Sequence, residues 1–236
     1  LILVPAREAR AGLTFGAVSS DRVEIAASAS TNTLTAFTVF GWYYATALAT
    51  DDRFWTKNNA AAAVRSRASQ KAGNGRTMDF FVDRATTDCA ATSAVNTYTA
   101  NVWKFVAYVY SESANLCRVY LGSLTAPVAE VSYASGRDSG SGGTVTADGI
   151  LFVGNDSSAI RAFDGQIATF AVVNRALSLA EIQAVQFRPF NPGGLVVHLE
   201  LGWAGTGTQP DLSGNANSGT VTGATVGVHV PKVRYP

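Results

Sequence analysis

From Arg22 to Val230 the chain repeats one pattern: short runs of Val, Ile, Phe, Tyr, Trp and Thr, cut by Gly, Asn, Asp and Ser. β-Branched and aromatic side chains suit a pleated surface, and small polar residues supply the turns. The pattern therefore predicts strand, turn, strand. Candidate strands are Arg22–Ala27, Ala36–Tyr44, Ala61–Ser69, Arg76–Asp83, Val102–Tyr110 and Leu116–Leu121, then Val128–Tyr133, Ile150–Val153, Arg161–Asn174, Leu195–Leu201 and Thr220–Val230. Asn74-Gly75 falls between two of these runs. The dipeptide accepts the positive φ angles of a tight hairpin, which implies antiparallel pairing. Ser135 to Thr146, with four glycines, reads as a flexible surface loop.

Period-two alternation places Phe40, Trp42 and Tyr44 on one face of a strand and Phe37, Val39 and Tyr43 on the other. Trp103, Phe105, Ala107 and Val109 alternate in the same way with Val106, Tyr108 and Tyr110. A strand that is apolar on both faces must be covered on both. One cover is a sandwich core. The other is a ligand groove, a second packed layer or a subunit contact. Trp42 and Trp103 are read as core. Trp55 and Trp203 lie near turn-rich segments and are the candidates, with Tyr235, for a ligand or partner surface.

One helix is expected. Ser178-Leu179-Ala180-Glu181 is a capping box, in which serine and glutamate reciprocally satisfy free backbone N–H groups. Leu179, Ile182, Val185 and Phe187 follow at roughly helical spacing, and Pro189 sets the stop. Many short strands with one short helix make an all-β, two-sheet antiparallel sandwich. Residues 1–236 are read as a single domain, with 12–187 as the main body and 195–230 as a strand pair completing it. Neither an internal repeat nor a clear linker is evident.

Charged residues make up 15 % of the chain, against about 25 % in an average globular protein. The net charge is +1, so nucleic acid and anionic membranes, which select clustered Lys and Arg, are not expected partners. No run reaches the ~18 apolar residues of a membrane span. Leu1 to Val4 is too short for a signal-peptide core, and the missing initial Met leaves room for residues upstream. Cys89 and Cys117 are too few for a disulfide framework; one bridge and two buried thiols both remain open.

Catalytic schemes find little footing. Asp79 and Asp83 share a strand face, but about 13 Å separates their backbones at ~3.3 Å per residue. Catalytic carboxyl pairs stand about 5 to 9.5 Å apart. His198 and His229 lack a His-Glu-x-x-His context, and the cysteines lack metal spacing. Gly140 to Gly143 precede no Lys-Ser/Thr, so no phosphate loop is indicated. Asn155-Asp156-Ser157 has the form of a glycosylation sequon. Asp211, Ser213, Asn215 and Asn217 offer several oxygens within one tight loop. Asp211 and Asn215 are thus candidate calcium ligands, the ordinary alternative being side chains that only cap the turn.

Several segments resemble the laminin-G-like branch of the concanavalin A-like lectin/glucanase jelly rolls. Gly12-Leu13-Thr14-Phe15-Gly16 with Asp21-Arg22-Val23-Glu24-Ile25 resembles the opening strand pair, and Phe37 to Tyr43 the first long core strand. Trp103 to Ala107 with Val119 to Gly122 resembles the central hairpin. Phe152-Val153-Gly154-Asn155, Phe163-Asp164-Gly165-Gln166-Ile167 and Asn174 to Ile182 resemble the late strands and closing helix. The family's Asp-x-Ser-Gly-Asn-x-Asn-x-Gly loop, usually near the start, stands here as Asp211 to Gly219, after the strand Leu195 to Leu201. The resemblance thus implies a circularly permuted jelly roll. The Glu-x-Asp-x-x-Glu strand of the related glucanases is absent, so it also implies binding without catalysis. It points to a structural protein of a phage virion surface (a decoration, head-fibre or tail-associated protein), with other virion proteins, copies of itself or a glycan as partners. The alternative it implies is a carbohydrate-binding module of a secreted or cell-surface protein. The extended tail, Val228 to Pro236, is expected to lie across a neighbour.

Overall fold

The computed structural model describes residues 12–16, 20–47, 51–71, 76–187, 191–228 and 230. In chain order the strands are β1 (Leu13–Phe15), β2 (Arg22–Ile25), β3 (Ala36–Ala45), β4 (Asp52–Asn58), β5 (Val64–Lys71), β6 (Thr77–Val82), β7 (Cys89–Ser93) and β8 (Trp103–Ser111). They continue with β9 (Leu116–Ser123), β10 (Ala129–Glu130), β11 (Tyr133–Gly136), β12 (Leu151–Val153) and β13 (Gly165–Val173). The helix α1 (Leu179–Phe187) precedes β14 (Leu195–Glu200), β15 (Gly219–Thr222) and β16 (Thr225–Val226).

Two antiparallel sheets result. The first runs β10-β9-β8-β3-β13-β1-β16, with β14 also on β13; the second runs β11-β7-β6-β5-β4-β12-β2-β15. Asn74-Gly75 lies outside the described residues, although β5 and β6 do pair antiparallel up to Lys71 opposite Thr77. The expected Val128–Tyr133 strand divides into β10 and the start of β11, one in each sheet.

The alternation read along β3 and β8 sorts their side chains between two cores. Phe37, Val39, Tyr43, Val106, Tyr108 and Tyr110 face the space between the sheets. Phe40, Trp42, Trp103, Phe105, Ala107 and Val109 form a second apolar layer outside the first sheet, with Leu177 and with Ile182 of α1. The second cover is therefore a packed layer. Trp42 packs edge-on against Phe105 at 5.4 Å between centroids. Helix α1 begins as its capping box requires: Glu181 accepts from the Ser178 N–H at 2.9 Å, and Ser178 Oγ accepts from the Glu181 N–H at 3.4 Å.

The C-terminal strands complete both sheets. β15 pairs β2 from Gly219 opposite Ile25 to Thr222 opposite Arg22, and β16 pairs β1. β14, in contrast, pairs β13 of the second half of the chain. β3 is already flanked by β8 and β13, so the free edge of β13 is what remains. There β14 takes Thr169 to Val173, and β1 takes Gly165 to Ile167. The first and last parts of the chain thus lie end to end along one strand. Gly219 makes the crossing close: a Cβ there would stand 2.5 Å from Val23 Cγ1 and 2.9 Å from Leu199 Cδ1.

Two strands escape the sequence pattern. β4, Asp-Arg-Phe-Trp-Thr-Lys-Asn, is buried along its whole length. A bulge against β5 between Arg53 and Trp55 breaks strict alternation, so Phe54 and Trp55 both enter the core. Trp55, expected at a surface, is 1 % exposed. It packs edge-on against Phe37 and Phe80. β7, Cys-Ala-Ala-Thr-Ser, has too few large apolar residues to read as a strand, yet Cys89 and Ala91 face the core. The segment from Ser135 to Thr146 is also not a free loop. Its start belongs to β11, and bridges join Ser141 to Thr87 and Thr144 to Arg84. Gly136, at φ 72°, passes so close to β7 that a Cβ would overlap the Ala90 carbonyl.

Candidate functional site

The Asp211 loop ties β14 to β15. Asp211 Oδ1 accepts from the backbone N–H groups of His198 and Ser213, both at 2.9 Å. Its Oδ2 accepts from Ser213 Oγ at 2.7 Å and from the Asn217 N–H at 2.8 Å. Asn215 Nδ2 donates to the Leu195 carbonyl at 3.0 Å. Burial raises the Asp211 pKa, but these four donors outweigh it and hold the carboxyl below its usual range. Calcium wants six to eight oxygen ligands with free lone pairs. Here N–H and O–H groups take the carboxylate from all sides, so the arrangement fits a turn cap and does not fit a cation. Among the described residues no three His, Cys, Asp or Glu side chains gather as a metal set.

The other expected surface residues scatter. Trp203 is 60 % exposed in the turn after β14. Tyr235 and His229 lie outside the described residues. Asn155 of the sequon is fully buried; its amide donates to the Asp21 carbonyl and its oxygen accepts from the Asp156 and Arg161 N–H groups. A glycan has no access there in this fold. Asp79 and Asp83 are each held by a cation, Lys71 and Arg65 respectively, and do not act on a shared point. Cys89 and Cys117 are both buried free thiols.

The arrangement that can bind something lies on the outer face of the second sheet. In β5, Ser66, Ala68 and Gln70 turn inward, which leaves Arg65, Arg67, Ser69 and Lys71 facing out. Register then sets Thr56, Arg67 and Phe81 side by side across three strands, with Arg53, Ser69 and Asp79 as the next row. The Arg67 guanidinium lies over the Phe81 ring, 4.2 Å from its centroid. Arg53 pairs with Asp51 at 2.6 Å, and Arg161 shares that carboxylate at 3.0 Å. Burial lowers the pKa of Arg53 to about 10, which leaves it charged at neutral pH, and burial also lowers that of Arg67. Thr56 Oγ1, Ser69 Oγ, Thr77 Oγ1, Asp79 Oδ1 and Arg53 Nε are buried there without a hydrogen-bond partner. Such groups cost stability, but Tyr43, Trp55, Gln70 and Tyr108 carry others in the interior, so they do not by themselves single out this face. Sequence reading passed over this site. The outward Arg-x-Arg-x-Ser-x-Lys alternation from Arg65 was the available signal, but Phe81 is its neighbour only through register.

A second feature is a cleft of about 460 Å³ between the sheets, counted to its open mouth. Leu34, Phe37, Trp55 and Leu151 line it, with Lys57 and Arg65 among the polar residues. Lys57 Nζ donates to Gly149 O at 2.6 Å, Asn32 Oδ1 at 3.2 Å and Thr31 Oγ1 at 3.4 Å. Burial lowers its pKa to about 8.

Comparison with known proteins agrees with this architecture. A family model described as the concanavalin A-like lectin/glucanases superfamily matches residues 16–183. No curated protein matches the chain by sequence. Among solved structures, a putative carbohydrate binding protein from Bacteroides ovatus is similar with a TM-score of 0.67 at 15 % identity, over 96 % of this chain. The present chain spans 62 % of that protein's length. A heptameric SAP-like pentraxin from Limulus polyphemus has a TM-score of 0.64 at 13 % identity, over 95 % of this chain and 98 % of its own. Tailspike protein 2 of an Escherichia coli O157:H7 bacteriophage has a TM-score of 0.51 at 14 % identity, over 84 % of this chain and 31 % of its own. At such identities these likenesses speak for the fold. The family match covers well over half of the sequence, and the chain belongs to the concanavalin A-like lectin/glucanases superfamily.

Proposed function

We propose that this chain is a non-catalytic glycan-binding sandwich of a surface, and that the surface is that of a virion. The observation carrying the binding reading is the outer face of the second sheet, where half-buried Arg67, free of any ion pair among the described residues, lies over the Phe81 ring. Sugars offer oxygens to a guanidinium and apolar C–H faces to aromatic rings. The fold likeness to a putative carbohydrate binding protein supports the same reading. Ion pairing of Asp79 and Asp83 to Lys71 and Arg65 supports binding without hydrolysis, because a paired cation keeps each carboxyl ionised and unsuited to serve as the acid.

The virion setting rests on the low charge of the chain and on its likeness to a phage tailspike. A secreted or cell-surface binding module is the second reading, favoured by the likeness to the Bacteroides ovatus protein. Self-association joins the proposal because the pentraxin neighbour is heptameric. A glycan array probed with the wild-type chain and with Phe81→Ala tests binding: the wild type should mark a defined glycan set that the variant loses. Silence across the array, in a folded protein, would reject it. Mass spectrometry of purified particles tests the setting; a chain found only in the culture medium would favour the secreted module.

A further inference from the structure

The outer face of the second sheet has a particular charge pattern. Arg22 pairs with Glu24, Arg65 with Asp83, Lys71 with Asp79, and Arg53 and Arg161 with Asp51. Among the described residues Arg67 is the cation on this face without an ion pair or hydrogen bond. It is half-buried, and its centre is flanked by Thr56 on β4 and Phe81 on β6. Asp51 and Asp79 stabilise its charge through space; Asp51 is engaged by Arg53 and Arg161, and Asp79 by Lys71 through Oδ2 alone.

Stacking fixes one flat side of the Arg67 guanidinium against Phe81 and leaves its N–H edge unspent. That planar edge presents parallel donors whose spacing matches a carboxylate. Partial burial withholds water from it, and burial already works against its charge. A bound anion would therefore relieve an existing cost. A neutral sugar would leave this edge unmatched, and the fully buried hydroxyls of Thr56 and Ser69 offer it no contact.

We infer that the site selects sugars bearing a carboxylate, of the uronic or sialic type, with Arg67 as the specificity-determining residue held in place by Phe81. The inference rests on the glycan-binding reading above and narrows it to one chemical class. A phosphate or sulfate group would meet the same charge without the same planar fit.

The test is isothermal titration of the full chain with trigalacturonate, glucuronate-containing hyaluronan oligosaccharides and sialyllactose, each beside its carboxyl methyl ester. At least one acid should bind tenfold or more tightly than its ester, and the difference should shrink as salt is raised. Arg67→Gln should erase the preference for acid over ester. Arg67→Lys should keep a weakened preference, because charge survives and the fork does not. Thermal melting of both variants confirms that they fold. If acids and esters bind alike, or if Arg67→Gln keeps the preference, the inference fails while glycan binding stands. If a sulfated oligosaccharide outcompetes every carboxylate, the carboxylate assignment is overturned. If neither acids, esters nor the neutral glycans of the array bind, the glycan reading falls with it.

Discussion

Gln186 of α1 accepts a hydrogen bond from the Val128 backbone N–H at 2.6 Å through its Oε1, deep in the layer outside the first sheet. Its Nε2 donates to the Ser123 and Ala126 carbonyls, both at 2.9 Å. One helical side chain thus ties together the backbone of the β9–β10 turn. Gln186→Ala should lower stability by about 1 to 2 kcal/mol, chiefly because the buried Val128 N–H loses its partner. Urea denaturation checks this: the midpoint should fall with an unchanged slope. A midpoint equal to the wild type would show that water or a neighbouring chain group replaces the amide.

Glu181 predicts a pH effect. The Arg175 guanidinium beside it, then the Ser178 N–H, hold its pKa at about 2, below the ordinary 4.5. A carboxyl with a depressed folded-state pKa adds stability above its unfolded pKa and loses it as pH falls through the folded value. The contribution should therefore be complete above about pH 5 and fade between there and about pH 2. The pair sits at the surface, so the cap should be worth about 1 kcal/mol or less. Glu181→Gln should be less stable than the wild type at pH 7, with the gap closing as pH falls toward and through 2, read from melting curves.

Calcium removal should leave the melting temperature unchanged. Asp211 already accepts from His198, Ser213 and Asn217, so a cation would have to displace those donors. Asp211→Ala, in contrast, should cost about 1 to 3 kcal/mol with or without calcium, since it removes the acceptor of the His198, Ser213 and Asn217 N–H groups together. A melting temperature that rises with added calcium in the wild type and not in Asp211→Ala would overturn this.

Removing everything after Pro192 deletes β14, β15 and β16, which contribute Val196, Val197 and Leu199 to the inter-sheet core. It also bares part of the β13 edge and the β2 edge. The truncated chain should be insoluble or lack a cooperative melt. A soluble product melting with the parent would mean that the strands before β14 suffice.

Trp55→Ala should cost about 4 kcal/mol, the loss expected for a large aromatic in a well-packed core. The same substitution at Trp203, which is mostly exposed, should change stability by under about 0.5 kcal/mol. Paired denaturation curves separate the two.

Local periodicity determined much of this molecule. The two-faced alternation of β3 and β8 required cover on both sides, and the fold supplies it as a core and a second layer. The Ser178–Glu181 capping box set the helix start, because its contacts lie within one turn. These features follow from side chains near each other along the chain, where period and capping chemistry act directly. Tertiary structure alone decided the rest. A bulge turned Trp55 inward, and a bulge depends on the partner strand. The Asp211 carboxylate is satisfied by backbone groups of its own loop and of β14, which no residue type reveals. Arg67 meets Phe81 because the register of β5 against β6 brings them together, and register is set by which faces the whole sandwich buries.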